Sequence, residues 1–92
     1  MPEAHDLTIT FRQRGGTHGD YAENARLTGV LRDIMRATGN WDKLKPAQRL
    51  SLDEIALKIA RILSAGADPH FKDHWFDLSG YAQLGLKACD EP

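Results

Sequence analysis

The sequence lacks several features that define large classes of protein. Cys89 is the only cysteine among 92 residues, which excludes an internal disulfide and a zinc site built from several cysteines. No apolar run approaches the ~20 residues that cross a membrane, and no signal-peptide pattern occurs at the N-terminus. We therefore expect a cytoplasmic protein without a membrane partner.

An excess of charge of one sign is also missing. Twelve Lys and Arg face thirteen Asp and Glu, the net charge is −1, and the basic residues are dispersed along the chain. A nucleic acid is therefore not expected as the main partner. A chain of this length buries only roughly 60% of its unfolded surface, so we expect self-association into a homodimer or a higher oligomer.

The apolar periodicity predicts helices over about residues 20–38, 46–65 and 69–88. Residues 1–19 are expected to be extended or to form a glycine-rich turn. Residues 7–11 alternate as a strand does, but no second strand pattern exists to pair with them. We predict a single all-α domain over residues 1–92, an antiparallel three-helix bundle completed by oligomerisation.

Local signals support these helix ends. Asp20 and Glu23 have the spacing of a capping box, and Gly39 is placed to end the first helix in a left-handed conformation. Asp68 and Pro69 are typical of an N-cap followed by a first-turn proline, which would begin the third helix.

Helical spacing also predicts which side chains face the core. The predicted core residues are Tyr21, Thr28, Leu31, Ile34 and Met35, then Leu52, Ile55, Ile59, Ile62 and Leu63, then Trp75, Leu78, Ala82 and Leu86. Trp41 is expected to fold back onto the bundle. Gly80 and Gly85 each cost ~1 kcal/mol within a helix, which favours close approach of a neighbouring helix there.

A stripe of ionisable residues on the third helix is the first candidate site. It consists of His70, Asp73, His74, Asp77 and Tyr81. Imidazole and carboxylate groups one turn apart can share a divalent cation, so the stripe is a candidate metal site. For one segment without a second ligand-bearing helix, we favour the simpler interpretation of a solvated helix face.

The glycine-rich turn is the second candidate. Backbone N–H groups before a helix can bind phosphate, but Asp20 already occupies that end, and the Gly-x-x-x-x-Gly-Lys-Ser/Thr pattern is absent. Capping by Asp20 is the favoured interpretation, and a metal bridging Asp20 or Glu23 to phosphate is the alternative. His18 is not needed for a cap and is therefore the better candidate ligand residue.

Lys58 and Arg61 on the second helix are the third candidate. They could pair with Glu54 as surface ion pairs, or face Asp73 and Asp77 across the bundle and supply positive charge to a phosphate. We favour pairing between helices. Cys89, near a chain end and without a neighbouring base, is not expected to be a nucleophile.

Three motifs together resemble a group of small phage and prophage proteins that has no assigned activity. They are Thr-His-Gly-Asp at residues 17–20, Lys-Ile-Ala-Arg at 58–61 and Asp-x-Trp-x-Asp-x-x-Gly-Tyr at 73–81. The resemblance implies a phage-derived protein in a bacterial host cell.

The layout is also similar to that of the all-α nucleoside triphosphate pyrophosphohydrolases of the MazG type. These are dimeric bundles whose acidic side chains hold magnesium against a triphosphate. The similarity implies that Glu23, Asp53 or Glu54, Asp73 and Asp77 are the corresponding acids. The usual Glu-x-x-Glu followed by Glu-x-x-Asp is not present here.

Three functions are compatible with these patterns. The first is binding of a nucleotide or another phosphate-containing ligand, with Mg²⁺ or Mn²⁺ as cofactor if a pyrophosphohydrolase reaction follows. The second is a non-catalytic sponge for a nucleotide defence signal, and the third is a structural module that oligomerises. Catalytic residues cannot be assigned. The ligand-binding candidates are His18, Lys58, Arg61 and Tyr81, and the metal candidates are Glu23, Asp73, Asp77, His70 and His74.

Overall fold

The computed structural model describes residues 19–92. These residues form α1 (Tyr21–Arg36), a short 3-10 helix (Trp41–Lys43), α2 (Pro46–Leu63) and α3 (Lys72–Ala88). No strand occurs among them, so the predicted all-α fold is confirmed. None of the helices in this part of the chain is long and apolar enough to cross a membrane. Residues 7–11 and His18 lie outside the described part.

Gly19 and Asp20 fix the start of α1 against the turn that follows α2. Gly19 has a positive φ of 76°, and a methyl group there would overlap the hydroxyl of Ser64. The backbone N–H of Asp20 donates to the carbonyl of Ala65 at 3.0 Å. The Asp20 carboxylate accepts from the backbone N–H of Glu23 at 3.0 Å, so the Asp20 half of the predicted capping box is confirmed. The Glu23 half is wrong, because the Asp20 N–H and the Glu23 carboxylate both bond to Ala65.

The end of α1 differs from the prediction. The N–H of Ala37 donates to carbonyls of the last turn, and the Thr38 hydroxyl donates to the Met35 carbonyl at 2.8 Å. Gly39 has no positive φ. The prediction of a left-handed Gly39 is therefore wrong, because α1 has already ended at Arg36 and its last carbonyls have other donors.

Arginines in the last turns of α1 attach it to the middle of α2. Asp53 accepts a hydrogen bond from Arg36 Nη2 at 2.7 Å and lies 3.5 Å from Arg32 Nε. The hydrogen bond to Asp53 raises the pKa of Arg36. The Arg36 guanidinium also lies 4.6 Å from the centre of the Trp41 ring, which is buried as predicted.

Lys45, immediately before α2, holds the far end of α3. Its ammonium group donates to the carbonyl of Ala88 at 2.6 Å, to that of Cys89 at 3.4 Å, and to that of Glu91. A cation is favourable at this end because the last carbonyls of a helix have no partners within the helix. These contacts place the start of α2 beside the end of α3, so the two helices are antiparallel.

The central helix is α2, and both other helices pack against it rather than against each other. Within residues 19–92 the buried apolar side chains are mostly small: Trp41, Ala56, Ala60, Ile62 and Ala88. Polar side chains complete this interior: Asn24, Thr28, Ser51, Lys58, Ser64 and His74. The buried alanines allow the helix backbones to approach closely. Larger apolar side chains such as Leu31, Ile59 and Leu78 are half-buried around them, and others are exposed.

Several predicted core residues are therefore exposed. Those found at the surface are Tyr21, Ile34, Leu52, Leu63, Trp75, Ala82 and Leu86. On α3 the predicted inner and outer faces are interchanged, since His74 is only 1% exposed while Trp75 is 55% exposed. The helix turns Gly85 and Ala88 toward α2 instead, and a methyl group at Gly85 would lie 3.6 Å from Ser51 Cβ.

Candidate functional site

Among residues 19–92, an ion pair between α2 and α3 brings two predicted site residues together. Lys58 Nζ lies 3.0 Å from Asp77 Oδ2, with side chains 11% and 41% exposed. The predicted pairing between helices is thus confirmed for Lys58. The pair forms because α2 and α3 run antiparallel with these residues on facing sides. Asp77 already neutralises Lys58, so the pair presents little net charge to a ligand.

The other predicted charges do not join this pair. Arg61 is half-buried and forms no ion pair with any residue in the described range 19–92. Asp73 is exposed in the first turn of α3, where a carboxylate is favoured by the helix dipole.

Glu23 has a structural partner in the turn after α2. Its Oε1 accepts a hydrogen bond from the backbone N–H of Ala65 at 3.3 Å, in the turn that follows α2. Together with the Asp20 contact to the same residue, this bond fastens α1 to that turn. Glu23 therefore anchors the chain where the sequence suggested a metal ligand.

The two histidines do not form the predicted helical pair. The Asp68 carboxylate accepts from the backbone N–H of His70 at 2.9 Å, and this turn delays the start of α3 to Lys72. His70 is exposed before the helix, whereas His74 is buried and packs edge-to-face on Phe71 with ring centres 5.1 Å apart. The predicted start of the third helix at residue 69 is wrong for this reason.

Consequently the predicted metal ligands are dispersed. Among residues 19–92, no three His, Cys, Asp or Glu side chains lie close enough together to hold one metal ion. Glu23 lies at the start of α1, whereas Asp73, His74 and Asp77 lie on α3.

An open groove of about 310 Å³ lies between the first half of α2 and the second half of α3. Its walls are mainly apolar and are formed by Leu44, Gln48, Ser51, Leu52, Ile55, Tyr81, Ala82 and Gly85. Tyr81 is the single predicted site residue in this lining. With no charged side chain in its walls, the groove suits apolar groups rather than phosphate.

A further surface was missed by the sequence analysis. On one flank of α3, beside the edge that packs against α2, an exposed row repeats every three and four residues. We call this row the outer seam, and it consists of Lys72, Trp75, Ser79, Ala82, Leu86 and Cys89. The sequence does contain this pattern, because Trp75, Ala82 and Leu86 have helical spacing. The same spacing is equally typical of a core face, which is the prediction it led to.

The seam tryptophan is held in place. Trp75 Nε1 donates a hydrogen bond to the carbonyl of Pro69 at 2.9 Å, which fixes the indole against the turn before α3. Phe76 is exposed beside it. An immobilised aromatic side chain loses little conformational entropy on binding, so it suits a protein interface.

Comparisons with protein-family models, with curated proteins and with solved structures find no significant match. The resemblance to small phage proteins and the similarity to MazG-type enzymes therefore stay predictions from the sequence motifs.

Proposed function

We propose that the protein works through protein–protein contacts, as a small helical module that associates with copies of itself. The observation that carries this proposal is the distribution of apolar side chains between core and surface. Within residues 19–92, ten large apolar side chains are exposed, whereas three of the five buried apolar residues are alanines.

The exposed area is substantial for a chain of this size. Trp75, Phe76 and Leu86 together leave roughly 400 Å² of side chain in contact with water. Burying this area is favourable by about 25 cal/mol per Å². The same side chains of two copies together supply about half of a standard interface before neighbouring residues are counted.

Sedimentation velocity tests the proposal on the full chain from about 1 µM to about 100 µM, the range in which weak oligomers assemble. We expect the average mass to rise from 10.3 kDa toward a multiple of that value as concentration increases. The melting temperature should rise with it. A single species of 10.3 kDa across the whole range would contradict self-association.

Binding of a nucleotide stays a second hypothesis, in its enzymatic and its sponge form. Lys58 is the buried cation that would contact a phosphate, but a ligand would have to displace Asp77 from it. Self-association needs no such rearrangement, which is why we prefer it.

A further inference from the structure

We propose that two copies pair through the outer seam, with their α3 helices antiparallel about a two-fold axis between residues 80 and 81. This inference rests on the proposed self-association and adds the surface and its orientation. In heptad notation, Lys72, Ser79 and Leu86 lie at the positions called “a”. Trp75, Ala82 and Cys89 lie at the positions called “d”. All six are exposed, although such a row is normally buried by a second helix.

The row is self-complementary when it is reversed. In an antiparallel pair, each “a” residue faces a “d” residue of the other helix. Because of the two-fold axis, every contact occurs twice. Trp75 then faces Leu86 of the partner subunit. Within one subunit, Trp75 and Leu86 lie about 16 Å apart along the helix. Ser79 faces Ala82 of the partner subunit at the centre, where two small side chains allow close approach. The large side chains therefore lie at both ends of the contact.

Charge selects the antiparallel orientation. Lys72 and Asp90 are both exposed and lie 18 residues apart, which is five helical turns, so they flank the same face. The backbone N–H of Asp90 donates to the Lys87 carbonyl at 3.2 Å, which keeps Asp90 close to the path of the helix. An antiparallel pair places Lys72 next to Asp90 of the partner subunit at both ends, while a parallel pair brings like charges together.

The contact also continues onto neighbouring apolar surface. Ala82 belongs both to the outer seam and to the wall of the groove between α2 and α3. Phe76 borders the seam on its other side. A helix seated on the seam would therefore cover the aromatic pair and the adjoining edge of the groove, which brings the buried area toward that of a standard interface.

Two leucines of α3 provide a matched test. Leu86 lies on the seam and Leu84 lies on the opposite side of the same helix, with exposures of 70% and 57%. We expect Leu86→Ser to raise the dimer dissociation constant at least tenfold, since the residue is buried twice in the pair. Leu84→Ser should change it less than about twofold. Urea unfolding of each variant checks that the monomer fold is kept.

A charge-reversal cycle tests the orientation. Lys72→Glu alone and Asp90→Lys alone should each weaken the dimer severalfold, and the double variant should recover most of the loss. In a parallel pair, each single reversal would exchange one like-charge contact for another and leave affinity nearly unchanged.

The outcomes separate this inference from the proposed function. If the wild-type chain dimerises but Leu86→Ser and Leu84→Ser behave alike, the seam is not the interface and self-association still stands. If the wild-type chain is a monomer at every concentration, self-association fails, and the pairing fails with it. A monomer whose melting temperature falls with Leu86→Ser alone would show that the seam is covered within one chain.

Discussion

At the scale of single residues, the two members of the Lys58–Asp77 ion pair differ in their exposure to water. Lys58 is nearly inaccessible to water, whereas Asp77 keeps two fifths of its side chain exposed. Removing Asp77 therefore leaves a charged group without compensation, while removing Lys58 leaves a carboxylate that water can solvate.

We accordingly predict that Asp77→Ala lowers the free energy of unfolding by about 1–3 kcal/mol, and by more than Lys58→Met does. Urea unfolding monitored by circular dichroism measures both. Asp73→Ala, at an exposed position on the same helix, is the control and should cost under ~1 kcal/mol. If Asp73→Ala and Asp77→Ala lowered the free energy of unfolding equally, the ion pair would make no specific contribution to stability.

At the scale of the helices, the glycines differ in how closely a neighbouring element packs against them. A methyl group at Gly29 or Gly80 would meet nothing within 4 Å among residues 19–92, so neither glycine is needed for packing within this part of the chain. The expected close approach is found at Gly85, which faces Ser51 of α2. At Gly19 the backbone is left-handed and the neighbouring Ser64 leaves no room.

Alanine substitution should separate these positions. Gly29→Ala and Gly80→Ala each remove the entropic penalty of a glycine within a helix and should stabilise the protein by about 0.5–1 kcal/mol. Gly19→Ala should destabilise it and loosen the docking of α1 on the turn after α2. Thermal unfolding measures the first effect, and hydrogen exchange at Asp20 and Glu23 measures the second. A stabilising Gly19→Ala would contradict the described turn.

At the scale of the whole molecule, the arrangement of charge makes a ligand hypothesis testable. Among residues 19–92 no three of the predicted acids and histidines lie close enough to hold one metal ion, and the described groove has no charged lining. A tightly bound ligand stabilises the folded state in proportion to the logarithm of its concentration, so melting temperature is a suitable readout.

We expect EDTA, Mg²⁺ alone, and Mg²⁺ with a pool of nucleoside triphosphates to shift the melting temperature by less than ~1 °C each. A rise that requires Mg²⁺ and nucleotide together, and that is lost in Asp77→Asn but kept in Asp73→Asn, would instead support the nucleotide hypothesis. Chromatography of the recovered nucleotide would then distinguish hydrolysis from sequestration.

Much of the fold could be predicted because its determinants are local. The three helices follow from apolar spacing, the cap at Asp20 follows from its own side chain, and Trp41 is buried where its position beside α1 predicts. The candidate site was harder to predict, because Glu23 bonds to the N–H of Ala65, which is distant in sequence. In addition, the Asp68 carboxylate bonds to the backbone N–H of His70, so that His70 lies before α3 and not in it.

The sequence by itself determined that residues 19–92 form three α-helices with short connections. Only the tertiary structure decided which side of α3 is inside. Apolar residues recur at helical spacing on two of its sides, so periodicity cannot choose between them. The side of α3 that packs against α2 is the one that carries Gly85 and Ala88, which allow the two helix backbones to approach. On this side Asp77 also forms its ion pair with Lys58. The bulkier Trp75 and Leu86 are thereby left facing outward.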